Sequence, residues 1–197
     1  MATLYFNGHG SLRITTGAGR VIYIDPFAGE GYDLPADLVL ISHEHYDHTD
    51  LSKLTLAENA PVFRAADLIG PEGHRTVTAA GVTVEATEAC NKNHPIDKCV
   101  GFLLTVDGRT VYAAGDTSRT RYMEQVLAHR HVDWALLPCD GVYNMGPEEA
   151  GECAALIGAV HTVPIHSKPG GLFDEAQARR VQAEGRVILL PGDSIEL

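Results

Sequence analysis

The sequence of 197 residues predicts a single α/β domain in which helices flank packed β-sheets. Short apolar runs rich in β-branched residues recur along the chain, and the later ones alternate with segments of helical periodicity. Strands in this number need cover on both faces, which helices supply. Because we find no linker or low-complexity tract, residues 1–197 are predicted to form one domain.

The first half of the chain is predicted to consist mainly of strands. TLYF, SLRITT and RVIYID are three short strands, and the buried strand DLVLIS follows a loop at residues 28–37. The next segment, TDLSKLTLA, is predicted to be a helix with Thr49 or Asp50 as its N-cap. Three further strands are predicted in PVFRA, RTVTA and GVTVEAT.

The second half is predicted to alternate between strands and helices. The strands are GRTVYAAGD, VDWALLPCD and HTVPIHS, and RVILLPGDSIEL closes the chain as a strand pair. Helices are predicted over 119–130, from an amphipathic pattern, and over 147–157 and 174–184, from proline and capping signals at their starts.

The charge and the cysteines limit the class of protein. The formal net charge is −11, which disfavours nucleic acids as partners, because their backbones attract lysine and arginine. A small and even anionic substrate is compatible with this charge, since bound divalent ions make a site locally positive. The four cysteines show no CxxC spacing, and the spacing of Cys90 and Cys99 does not decide whether they pair.

The N-terminus and the hydropathy predict a cytoplasmic protein. The first residues lack the basic and apolar regions of a signal peptide. No apolar run approaches the ~20 residues that a membrane span needs. We therefore expect a small-molecule substrate and no nucleic-acid or membrane partner, and the sequence leaves open whether the chain forms a homo-oligomer.

The stretch SHEHYDHTD carries four candidate metal ligands within six residues, His43, His45, Asp47 and His48. It follows a predicted buried strand. If the strand geometry persists, His43 and His45 point to one side, because side chains alternate along a strand. Asp47 and His48, in the following turn, can then point toward a second metal position. Two imidazoles for one ion, with a carboxylate and an imidazole for another, predict a dinuclear metal site.

Three further candidate ligands, His94, Asp116 and His166, lie in polar loops next to predicted strands, where sites on open sheets collect. The seven candidates are five histidines and two aspartates, and such nitrogen and oxygen donors suit Zn²⁺, Mn²⁺ or Fe²⁺ without singling one out. His74 competes with His94 but has no matching local pattern, so we interpret it as a surface residue.

Two residues outside this set have alternative interpretations. His9 lies in a glycine-rich turn, and we interpret it as structural. Asp25 ends a predicted strand, and two interpretations of it stay open. It either caps a turn or accepts a hydrogen bond from the second ring nitrogen of a ligand histidine.

At these residues the chain resembles the metallo-β-lactamase superfamily. The matching pieces are IDPF at Asp25, HEHYDH at 43–48, His94 before VGFLL, AAGDTS around Asp116 and PIHS around His166. The local sequence at these motifs is most similar to that of compact bacterial hydrolases, including ascorbate-6-phosphate lactonase-like proteins. The resemblance implies a four-layer αββα sandwich of two mixed β-sheets flanked by helices, with two metal ions at one edge of the sheets.

The resemblance also implies a role for each ligand and a reaction. His43, His45 and His94 would hold one ion, Asp47, His48 and His166 the other, and Asp116 would bridge the two. Two divalent ions supply hydroxide at neutral pH, which would attack an ester-like bond of a small lactone, phosphodiester or acyl ester. Asp47 would orient the hydroxide and is the one predicted catalytic residue.

Four residues are predicted to contact substrate. Lys168, in HSKPGG, would approach a carboxylate or phosphate, and the alternative is a solvated lysine in a loop. Asp140, Tyr143 and Asn144, in CDGVYNMGP, would line the cleft if the resemblance holds for that loop. The exact substrate is not predicted, because fold-level analogy does not transfer specificity.

The superfamily that this chain resembles also includes proteins with two other activities. A mononuclear iron dioxygenase that acts on a persulfide is the main alternative. The related diiron proteins usually have an acidic residue where this chain has His45, and this difference argues against a diiron protein. A nuclease is disfavoured by the acidic charge and by the lack of an additional RNA-binding domain.

Overall fold

The computed structural model describes residues 1–197 and consists mainly of two six-stranded β-sheets. The first sheet contains β1 (Thr3–Gly8), β2 (Ser11–Thr15), β3 (Val21–Ile24), β4 (Leu38–Ile41), β5 (Val62–Arg64) and the C-terminal β14 (Ser194–Glu196). A short helix, α1 (Ala65–Leu68), and a two-stranded hairpin of β6 (Ile69–Gly70) and β7 (Gly73–His74) connect it to the second sheet. The second sheet contains β8 (Thr76–Ala79), β9 (Val82–Glu88), β10 (Val100–Val106), β11 (Arg109–Ala113), β12 (Trp134–Pro138) and β13 (His161–Ile165).

The two sheets have the same topology. Their strand orders are β14-β1-β2-β3-β4-β5 and, in the corresponding direction, β8-β9-β10-β11-β12-β13. In each sheet the first three pairings are antiparallel and the last two are parallel. The chain therefore contains a repeat of architecture that no residue-level repeat in the sequence indicates.

Most of the core lies between the two sheets. A cluster of 26 buried side chains joins residues such as Phe6 and Ile22 of the first sheet to Phe102 and Leu104 of the second. Leu103, between the last two, points to the opposite face and belongs to a separate cluster. This alternation follows from the two-residue period of a strand, and it gives the second sheet two buried faces.

The outer face of the second sheet is covered by α2 (Arg121–Gln125) and α3 (Pro147–Ile157). On the first sheet the outer layer is thinner. Tyr23, Val39 and Ile41 are covered there by a loop and by a 3-10 turn over Leu51–Lys53. The predicted four-layer sandwich is confirmed, with one outer layer made largely of turns. The longest helix, α3, has 11 residues, and no helix is long and apolar enough to cross a membrane.

The predicted helix in TDLSKLTLA is wrong. Only 3-10 turns form, over Tyr46–His48 and Leu51–Lys53. The Asp50 side chain accepts the backbone N–H of Ser52 locally, a contact that competes with helical hydrogen bonding. Residues 55–57 then exchange backbone hydrogen bonds with Ala36. Partners distant in sequence therefore take the donors and acceptors that a helix would use.

Other boundaries also differ from the prediction. The helix predicted over 119–130 is α2 followed by a 3-10 turn over Leu127–His129. The last helix, α4, spans only Glu175–Ala178, although Asp174 accepts the N–H of Gln177 as predicted. The predicted C-terminal strand pair is reduced to β14 and one isolated bridge between Thr162 and Arg186.

Candidate metal centre

The predicted ligands lie in loops at one edge of the sandwich. The 43–48 motif follows β4, Asp116 follows β11 and His166 follows β13 directly. His94 lies in the loop that connects β9 to β10. Because parallel strands deliver their carboxyl ends to the same edge of a sheet, residues far apart in sequence meet there.

The first group of donor atoms comes from His43, His45 and His94. Their ligand nitrogens lie within 4.8 Å of one another, and Nε2 of His43 is 3.0 Å from Nδ1 of His45. His43 and His94 are buried, whereas His45 is exposed. The three imidazoles can therefore bind one ion that stays accessible from outside.

The second group comes from His9, Asp47, His48 and His166, again within 4.8 Å. Asp116 lies between the two groups. Its Oδ1 is 3.5 Å from Nε2 of His48, and its Oδ2 is 3.4 Å from Nε2 of both His94 and His166. One carboxylate thus faces both groups, as a bridging ligand must.

Each inward-facing histidine is supported from behind through Nδ1. The partners are Ser42 Oγ for His43 (2.9 Å), Asp25 Oδ2 for His48 (2.9 Å) and Asn91 Oδ1 for His94 (2.9 Å). Asp140 Oδ2 lies 3.1 Å from Nδ1 of His166, an ion-pair contact outside hydrogen-bond geometry. Such partners fix the tautomer, so the Nε2 lone pair points into the site. Of the two interpretations of Asp25, the structure supports the hydrogen-bond acceptor, which also accepts from Ser42.

The residues present fit divalent metal ions. Nε2 of His48 and of His166 is buried without a hydrogen-bond partner, and unsatisfied buried polar atoms are costly. Burial lowers the pKa of His43 to about 2, so this ring is neutral. Burial also acts to lower the pKa of His48, but Asp116 and Asp25 raise it well above its ordinary value. The neutral ring of His43 therefore offers a free lone pair, and the carboxylates beside His48 attract positive charge.

A cleft of about 430 Å³ opens beside the two groups. Tyr143 lines it as predicted and is 52% exposed. The other three predicted substrate contacts are placed elsewhere. The Asp140 side chain is buried behind His166, the buried Asn144 donates to it at 2.9 Å, and the exposed Lys168 does not line the cleft.

These differences have a physical reason. Three consecutive backbone N–H groups, of residues 142–144, donate to Oδ1 of Asp140 and turn its carboxylate inward. The Lys168 side chain packs against Gly171, where a Cβ would lie 2.6 Å from its Cδ. Sequence position alone indicated that this loop is near the site but not the direction of its side chains.

His9, which the sequence analysis interpreted as structural, lies beside the predicted ligands of the second group. It follows β1 between Gly8 and Gly10, is 1% exposed and belongs to the second donor group. The available signal was its position at a strand end in a glycine-rich turn, the same setting that identified the other candidates. His74 is half-buried in β7 and belongs to neither donor group.

We expect Asp140→Asn to weaken metal binding by roughly 10- to 100-fold, as changes behind a ligand histidine commonly do. Burial disfavours the charged carboxylate, but His166 and the backbone donors lower the pKa of Asp140 to about 2. Asparagine removes this charge at almost constant size. Isothermal titration with Zn²⁺ measures the change. Asp133→Asn is the matched control, because Asp133 binds Thr110 at 2.8 Å, away from both donor groups. Equal affinities in both variants would contradict the expectation.

Comparisons with known proteins identify the family of this chain. The chain matches the Beta-lactamase superfamily domain over residues 3–166. A UPF0173 metal-dependent hydrolase from Methanoculleus marisnigri is 35% identical, and the alignment covers 96% of this chain and 94% of the relative.

Solved structures share the fold. Igni18, a metallo hydrolase from Ignicoccus hospitalis, has a TM-score of 0.71 at 22% identity and covers 98% of this chain and 97% of its own. YhfI from Bacillus subtilis, a metallo-β-lactamase fold protein, has a TM-score of 0.75 at 17% identity, with 99% of each chain covered. The lactonase-like subgroup is not confirmed by these relatives and stays a prediction. The chain belongs to the metallo-β-lactamase superfamily, in the family whose members are named UPF0173 metal-dependent hydrolases.

Proposed function

We propose that this chain is a dinuclear metal-dependent hydrolase that cleaves an ester-like bond in a small substrate, such as a lactone, a phosphodiester or an acyl ester. The observation that carries the proposal is that two donor groups, joined by Asp116, face one cleft. Zn²⁺ and Mn²⁺ suit these donors, and Fe²⁺ also does. When bound, two such ions activate water and polarise the bond that it attacks.

The donor groups divide the proposed ligands between the ions. His43, His45 and His94 hold one ion, and Asp47, His48 and His166 hold the other. Asp116 would lie between the two ions as a shared ligand. Asp47 is also the proposed catalytic residue, because its half-buried carboxylate lines both the main cleft and a second cavity of about 290 Å³. From there it can orient the attacking water and accept its proton.

The cleft favours a substrate with an uncharged body. No lysine or arginine lines either cavity beside Asp47. Tyr46 and Tyr143, 74% and 52% exposed, stand at the main cleft, and Phe27 and Leu172 line the second cavity. Within these two cavities, an anionic group on the substrate therefore has no lysine or arginine as a positively charged partner. This lining and the net charge of −11 also argue against a nucleic-acid substrate.

Two competing chemistries find less support. The mononuclear iron dioxygenase needs one donor group, and this chain presents two. A thiol nucleophile is disfavoured, because burial raises the pKa of Cys99, Cys139 and Cys153 to about 12 and reactivity belongs to the thiolate.

The test is metal analysis of untagged protein, followed by a panel of lactone, phosphodiester and thioester substrates. We expect two Zn²⁺ or Mn²⁺ ions per chain and hydrolysis of at least one substrate class. A chelator should abolish this activity, and added metal should restore it. One iron per chain, with oxygen uptake on a persulfide and no hydrolysis, would favour the dioxygenase instead.

A further inference from the structure

His9 is held in an unusual backbone conformation at the second donor group. Its φ is +54°, in the left-handed region that residues other than glycine rarely occupy. Its backbone N–H donates to the carbonyl of Leu172 at 2.6 Å, and its own carbonyl accepts from His166 at 2.8 Å. These contacts fix the imidazole inside the site, and its ring centroid lies 3.7 Å from that of His166.

The two ring nitrogens of His9 have different partners. Nδ1 lies 3.0 Å from the backbone carbonyl of Gly171. A carbonyl only accepts, so Nδ1 carries the hydrogen, and in the neutral ring Nε2 carries the lone pair. Nε2 lies 3.2 Å from Oδ2 of Asp47, which is also an acceptor. Two acceptor atoms at this distance repel each other unless a proton or a metal ion lies between them.

The same arrangement recurs at the predicted ligands. In His43, His48 and His94, as in His9, Nδ1 has a hydrogen-bond partner outside the site and Nε2 points inward. At the first group, Nε2 of His43 approaches its neighbouring donor atom as closely as His9 does at the second, 3.0 Å against 3.2 Å. His9 thus shares the tautomer and the orientation of a metal ligand.

We propose that His9 is a direct ligand of the second metal ion, beside Asp47, His48 and His166. The inference rests on the dinuclear site proposed above. It makes the two ions unequal, because the second group has four donor residues and the first has three, apart from the shared Asp116.

The test compares His9→Ala and His9→Gln with His74→Ala, a half-buried histidine outside the donor groups. Each full-length protein is freed of metal with a chelator and titrated with Co²⁺. We expect the parent chain and His74→Ala to bind two ions. Both His9 variants should bind the first ion normally and the second at least about 100-fold more weakly, with altered visible absorption of Co²⁺.

His9→Gln separates a ligand from a hydrogen-bond donor. Glutamine places an amide N–H near the position of Nε2, so it restores a hydrogen bond to Asp47 but not a nitrogen ligand. Normal affinity and normal Co²⁺ absorption in His9→Gln would overturn the ligand role while leaving the dinuclear site intact. A single ion in the parent chain would overturn both.

A measurement on the parent chain avoids any loss of folding in the variants. With NMR-active isotopes of cadmium and nitrogen, a bound ion shows a scalar coupling to each nitrogen that ligates it. We expect this coupling at Nε2 of His9 once two Cd²⁺ ions are bound. Its absence, with couplings present at His48 and His166, would overturn the proposal.

Discussion

Replacing Asp116 with alanine is expected to leave at most one tightly bound ion in a chain that we propose holds two. Oδ2 of Asp116 faces His94 of the first donor group and His166 of the second, and Oδ1 faces His48 of the second. Its removal therefore takes a ligand from both ions at once. It also removes the anion between two like charges, whose repulsion is several kcal/mol even at an effective dielectric of about 20.

Elemental analysis after extensive dialysis measures this loss. His74→Ala is the control and should retain both ions, because His74 belongs to neither donor group. Two retained ions in Asp116→Ala would show that Asp116 is not a bridge. A lost ion in His74→Ala would mean that His74, and not His94, is the third histidine of the first group.

His43→Ala and His45→Ala are each expected to abolish hydrolysis, with a loss of about 10³-fold or more, and to leave the protein folded. Each change removes one of three nitrogens from the first ion, whose contribution to the reaction is several kcal/mol. Folding should survive, because both residues lie beyond β4 and neither belongs to a hydrophobic cluster. His45 is exposed, so its loss opens no cavity in the core.

The measurement combines kcat/KM for the best substrate of the panel with urea unfolding. His131→Ala is the matched control, since its side chain is 72% exposed and lies against Asp133. It should leave both quantities unchanged. Loss of cooperative unfolding in both His43→Ala and His45→Ala would show that the first donor group is structural.

Local pattern accounts for what could be predicted. The apolar runs DLVLIS and RTVYAAGD predict β4 and β11 correctly. Such a run is buried as a strand in either sheet, so its prediction does not depend on knowing the strands that pair with it. The 43–48 motif is similarly local, because its four candidate donors lie within six residues in the turn that follows β4. Such features depend on neighbours along the chain, which the sequence displays directly.

The segment after the motif shows where local pattern fails. Residues 49–57 have the composition of a short helix. In the folded chain, however, the backbone of Ala36 forms hydrogen bonds with the backbone of Thr55 and Ala57. Intrinsic helix preference is a fraction of a kcal/mol per residue, whereas a buried backbone group without a partner costs about 1–3 kcal/mol. The tertiary hydrogen bonds therefore prevail.

The sequence by itself determined the α/β class, the positions of most strands and the seven candidate ligands. The tertiary structure decided which side chains meet. His9 contacts Gly171, 162 residues further along the chain, and Asp47, 38 residues further. Asp140 turns inward because backbone donors from residues 142–144 converge on it. Side-chain direction at loop positions has no fixed period, so only the packing of distant segments defines it.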